Sequence, residues 1–185
     1  MVRKKTVRPS KNKGKNRRSS FGGNIHVAMF MKLLLMLALL FLSRILFYFL
    51  NLGYYSSLSL TEAVRIFVIG IRFDISALFM VNAPFILMNS VPFKFRYNKV
   101  YQGIANFFYY SLNIFALMGN LIDSIYFRFT LKRTTADIFQ YLGVGGDFNK
   151  LIPQFLKDFW YVAILWILCI VLLVWIATRF RVVAP

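Results

Sequence analysis

The sequence predicts an all-α polytopic membrane protein with four spanning helices, near 28–50, 64–91, 100–122 and 159–178. Three observations predict it. The first is composition: 59% of the 185 residues are hydrophobic, including 21 Phe and 10 Tyr, against roughly 45–50% apolar residues in soluble domains. One soluble core of this length could not hide so much apolar surface. The second is run length. Val100 to Ile122 and Phe159 to Thr178 contain no charged residue, and each reaches the ~20 residues a helix needs to cross the hydrocarbon layer. The third is continuity. The runs do not alternate, which favours helices over a barrel, because backbone groups in lipid must be satisfied within the segment.

The elements follow in order. Residues 1–27 form a basic tail, with nine Lys or Arg and no acid within Met1 to Ser20. A disordered cytoplasmic tail drawn to anionic lipid headgroups explains it. No nucleic-acid partner is expected, because the tail lacks interleaved aromatics and leads directly into a span. The first apolar run is not followed by a small-residue cleavage site, so it reads as an uncleaved anchor. Residues 28–185 then form the membrane domain. Leu33 to Leu50 is apolar except for Ser43 and Arg44, and Lys32 stands at the membrane edge. The second span carries Arg65, Arg72 and Asp74, and the loop 92–99 adds Lys94, Arg96 and Lys99. The third span carries Asn106, Asn113 and Asn120 at seven-residue spacing, a stripe that reads as an interhelical seam.

Charge sets the orientation. The basic tail, the 92–99 loop and the end bearing Arg179 and Arg181 fall on one side, which the positive-inside rule makes cytoplasmic. The 123–158 loop is then extracytoplasmic. Within 130–158 two short amphipathic helices are expected to lie on the outer surface as a collar. Thr134 caps the first, with Asp137 three residues on, and Gly143 to Gly146 break it. Leu151, Ile152, Phe155, Leu156 and Phe159 line the second, with Pro153 in its first turn.

Intramembrane charges are costly, so their positions carry information. Arg44, Arg72, Asp74, Asn113, Asn120 and Asp123 all fall in the outer half, with Arg128, Lys132 and Arg133 just beyond. In one reading Arg44 and Arg72 neutralise Asp74 and Asp123 while the asparagines tie the helices together. In the other, the same residues form an outward-opening pocket for a lipid headgroup or its phosphate, which a guanidinium can grip bidentately. Nothing in the chain provides reaction chemistry. The lone His26 reads as interfacial and the single Cys169 as a buried, inert thiol. There is no Cys/His/carboxylate cluster for a metal, no Ser-His-Asp arrangement and no evident acid/base pair. No catalytic residue and no cofactor is expected in this chain.

GIRFDISALF (70–79), NLIDSIYFRFTLKRTTADIF (120–139) and LKDFW (156–160) resemble the N-terminal membrane region of lipoteichoic acid synthase-like proteins. These are phosphoglycerol or phosphoethanolamine transferases of the alkaline phosphatase/sulfatase superfamily. The resemblance spans about 28–180. It implies a bacterial cytoplasmic membrane, a five-helix membrane domain, and a following extracytoplasmic α/β domain with a divalent metal and a Thr nucleophile. No position here matches those metal ligands or that nucleophile. The chain therefore reads as a membrane portion that anchors a catalytic domain near its lipid substrate, with the fifth helix and the metal expected only outside it. Two rivals are a small transporter or channel component using Asp74 and Asp123, and a scaffold recruiting a partner through its basic tail.

Overall fold

Helix α1 (Ile25–Leu50) has 26 residues, about 39 Å of length. Its Leu, Met and Ala content favours the helix, and its buried residues, Ile25, Ala28, Lys32, Leu33, Met36, Leu39, Leu40, Ser43 and Phe47, form one stripe at helical spacing. It is the central element, packing against the four other described helices. The computed structural model describes residues 24–55, 58–131, 157–180 and 182. Its elements are helices, with no β-strand among the described residues.

After a short 3-10 turn (Leu52–Tyr54), α2 (Leu60–Val81) opens with a capping box. Glu62 N–H donates to Ser59 Oγ at 3.3 Å, and Ser59 N–H donates to Glu62 Oε2 at 2.9 Å. The Ser59 backbone bond, helped by the Ser59 hydroxyl, holds the exposed Glu62 carboxyl below its ordinary pKa.

The second expected span, 64–91, is not one helix. It starts at Leu60 and breaks at Asn82 (φ −93°, ψ 8°), after which α3 (Ala83–Ser90) continues with Pro84 in its first turn. Pro84 has no N–H to return to the preceding turn, and its ring collides with the carbonyl four residues back. The chain therefore restarts rather than continues. A 3-10 turn (Lys94–Tyr97) leads to α4 (Lys99–Thr130), capped by Asn98 Oδ1, which accepts from Val100 N–H at 3.0 Å.

The third expected span ended at 122, but α4 runs 32 residues and carries Asp123 and Arg128 inside the helix. Leaving an apolar stretch does not end a helix, and no Pro or Gly stops this one. It ends at Leu131, in the left-handed region at φ 53°. Helix α5 (Trp160–Ala177) matches the fourth expected span to within a residue at each end. The basic tail and the expected collar helices lie largely outside the described residues.

The main core lies between α1, α3, α4 and α5 and includes Met36, Leu40, Phe85, Tyr109, Leu117 and Leu173. A smaller cluster of Leu121, Ile125 and Val162 closes the other end. Trp166 Nε1 donates to the Ile114 carbonyl at 3.1 Å, fixing α5 on α4. Among the described residues two helices, α1 and α5, are long and apolar enough to cross a membrane. Helices α2 and α4 have the length but fall short of that apolarity, α2 carrying Arg65, Arg72 and Asp74 and α4 three asparagines.

Candidate functional site

The strongest polar feature joins α1 to α2. Arg44 donates through Nε to Asp74 Oδ2 at 3.0 Å and through Nη2 to Asp74 Oδ1 at 2.6 Å. Nη2 also donates to the Gly70 carbonyl at 3.0 Å. Two parallel bonds to one carboxylate are the strong, directional form of this interaction. The side chains are only 15% and 12% exposed. Gly70 makes the approach possible. A Cβ there would stand 2.8 Å from Arg44 Nε and closer still to Cζ and Nη1, nearer than real Cβ contacts fall. Gly70 and Asp74 are four residues apart and so share one face of α2.

That face borders a groove of about 400 Å³ lined by Arg44, Tyr48, Tyr55, Ala63, Phe67 and Phe127, among others. Its aromatics support one another. Tyr48 stacks on Tyr55 at 5.5 Å and meets Phe67 edge-on at 5.6 Å, while Tyr55 stacks on Phe127 at 6.1 Å. Asn51 fixes the end of α1 beside it. Its amide donates to the Phe47 carbonyl at 2.9 Å and, across to α4, to the Ser124 carbonyl at 3.0 Å.

Two further polar contacts tie the bundle. Asn82, at the helix break, and Asn113 exchange amide bonds of 3.0 and 2.7 Å, and both are fully buried. Each also donates to the carbonyl four residues before it, Leu78 and Tyr109. Near the other end, Lys32 is 5% exposed, inside the bundle. Its ammonium donates to Asn106 Oδ1 at 2.6 Å and faces the Phe85 and Tyr109 rings at 5.7 and 5.8 Å.

The expected outer cluster is thus divided. Arg44 and Asp74 meet. Arg72 does not join them: it is exposed and makes no ion pair among the described residues. The reason is azimuthal, because residues two apart on a helix point about 200° apart. Asn113 belongs to the amide pair. Asn120 borders a second cavity of about 240 Å³, with Asn113 and Gly119. Asp123 is buried at 9% exposure, seven residues below Thr130 on α4. Arg128 lies in the last turn of α4, and Lys132 and Arg133 lie outside the described residues. His26 is exposed, with Arg96 Nη1 3.4 Å from its Nε2, and Cys169 is half-buried rather than buried.

Sequence reasoning missed Gly70, Asn82, Asn51 and the burial of Lys32. The spacing of Gly70 to Asp74 and the Asn82-Ala83-Pro84 step were the available signals. Among the described residues no group of three His, Cys, Asp or Glu could hold a metal. Chemically, the groove offers a charge-neutral pair, hydrogen-bond donors and aromatic walls. Comparison with known protein families, with curated proteins and with solved structures finds no match for this chain.

Proposed function

We propose that the chain is a four-span domain of a bacterial cytoplasmic membrane, in which α1, α2 with α3, α4 and α5 each cross once. Its role in this reading is to hold an envelope phosphoglycerol- or phosphoethanolamine-transferase-like activity at the surface where its lipid substrate lies. Confinement of enzyme and lipid to one surface raises their effective concentration. The observation that carries the reading is the Arg44–Asp74 pair. It lies 19 residues along α1 from Ile25, about 28 Å, and so belongs to the half that the charge pattern makes extracytoplasmic.

Exposure supports the same reading. Only 17% of the most apolar stretch of α5 is buried, unlike the core helix of a soluble protein. Phe30, Leu42, Phe49, Val68, Phe79, Phe107, Phe115 and Trp175 are all at least half exposed, which suits side chains that face lipid. The transporter reading wants interrupted helices in corresponding halves. The break at Asn82 has no counterpart in α1, α4 or α5.

Deleting the gene and measuring phosphoglycerol and phosphoethanolamine on envelope polymers by phosphorus NMR tests the proposal. The proposal expects loss of one of these groups, restored by the wild-type chain and poorly restored by Arg44→Leu. An unchanged envelope phosphate content would end it.

A further inference from the structure

Resting on the membrane reading above, we propose that the groove between α1 and α2 is a lateral binding site for the ester region of a diacyl glycerolipid. It reads a neutral carbonyl, not a phosphate.

Charge is the first argument. Arg44 already holds Asp74 through two bonds, so the pair carries no net charge. A phosphate entering here would approach a carboxylate lying 2.6 Å from the guanidinium. That like-charge contact, in an apolar surround, works against it. Arg72 cannot offset it, being turned to the opposite side of α2. An ester carbonyl meets no such repulsion.

Donors are the second argument. A guanidinium has five N–H groups. Nε uses one, and Nη2 bonds both Asp74 and the Gly70 carbonyl. The two N–H groups of Arg44 Nη1 have no partner among the described residues, and Arg44 is part of the groove lining. Two donors beside an apolar groove call for a neutral acceptor carried on an apolar body. The ester of an acyl lipid has that composition.

The walls are the third argument. Tyr48, Phe67, Phe73 and Phe127 line the space, and Arg44 is the one charged residue among the described residues of the lining. Its volume of about 400 Å³ falls in the range of roughly 300–1,000 Å³ seen for small-molecule sites. The missing Cβ of Gly70 lets the guanidinium lie against α2 rather than fill the groove.

Photolabelling of the full chain, purified in neutral detergent, tests the site. The probes are photoactivatable ester-linked phosphatidylcholine, its ether-linked analogue, and ester-linked phosphatidylglycerol. The expected result is labelling of peptides containing Tyr48 or Phe67 by both ester lipids alike, and about fivefold less by the ether lipid, as one hydrogen bond is lost. Ala63→Phe, which fills the groove, removes the labelling, and Ile66→Trp provides a second filling variant if the first does not fold. Equal ester and ether labelling, labelling that follows headgroup charge, or indifference to both fillings overturns the proposal. Alkaline carbonate extraction of the membranes separates the two levels. Release of the chain overturns the membrane reading and this site together, whereas retention without ester preference overturns the site alone.

Discussion

Gly70→Ala is the sharpest perturbation of the site, because two known effects oppose each other there. Replacing Gly by Ala inside a helix ordinarily stabilises by about 0.8–1 kcal/mol. Here the new Cβ would stand 2.8 Å from Arg44 Nε, where ordinary contact begins at 3.4 Å. The guanidinium must therefore retreat by several tenths of an ångström or more. Its retreat breaks the 3.0 Å bond to the Gly70 carbonyl and lengthens the two bonds to Asp74. A hydrogen bond to a charged group contributes about 1.5–3 kcal/mol. The loss exceeds the helix gain, leaving a net destabilisation of about 1–2 kcal/mol. Thermal unfolding in one detergent, followed by circular dichroism, should show a lower midpoint than wild type. In an Asp74→Asn background the guanidinium is less firmly pinned, so the same substitution should cost less, with a coupling above about 0.5 kcal/mol. A Gly70→Ala variant more stable than wild type would refute the reasoning, because plain helix propensity would then have won.

Three further outcomes are expected. Asn113→Ala should cost about 1–2 kcal/mol by stranding the Asn82 amide, while the joint Asn82→Leu, Asn113→Leu change should recover most of it; single variants that unfold like wild type would contradict this. Lys32→Met should unfold at or above the wild-type midpoint, since it removes a buried ammonium together with its need for a partner. Asn106→Leu, which takes away the amide acceptor seen at 2.6 Å, should lower the midpoint by about 1.5–3 kcal/mol equivalent, and a reversed order would sink the assignment. Glu62 has a depressed folded-state pKa, so its support of the first turn of α2 is complete above the unfolded carboxylate value and fades as pH falls through the folded one. Hydrogen exchange of the Ala63 amide should therefore show extra loss of protection at low pH that Glu62→Gln lacks; matching profiles would remove Glu62 from the cap.

Much of the fold was legible because apolar runs and helical spacing act locally. The bounds of α1 and α5 fell within three residues of those expected. What was lost is non-local or angular. Lys32 stands close behind a basic tail and reads as one more boundary charge, and only packing against Phe85 and Tyr109 buries it. Arg72 shares a depth with Asp74, but depth says nothing of direction around the helix. Pro84 was visible, yet the apolar run continues on both sides of it and hides the break. Helix α4 outlasts its apolar stretch because a change of polarity does not by itself end a helix. Asn51 directly follows the first apolar run, and only packing shows that it is 1% exposed and bonded to α4.

Thiol accessibility in intact cells tests the four-crossing architecture most directly. In a Cys169→Ala background, Gly53→Cys places a thiol at an exposed position, where no described residue lies within 4 Å of the added Cβ, and Lys94→Cys places one at an exposed site in the turn before α4. The account predicts that a membrane-impermeant maleimide labels Gly53→Cys from outside, and Lys94→Cys only after the membrane is opened. Labelling of both positions from the same side would contradict it.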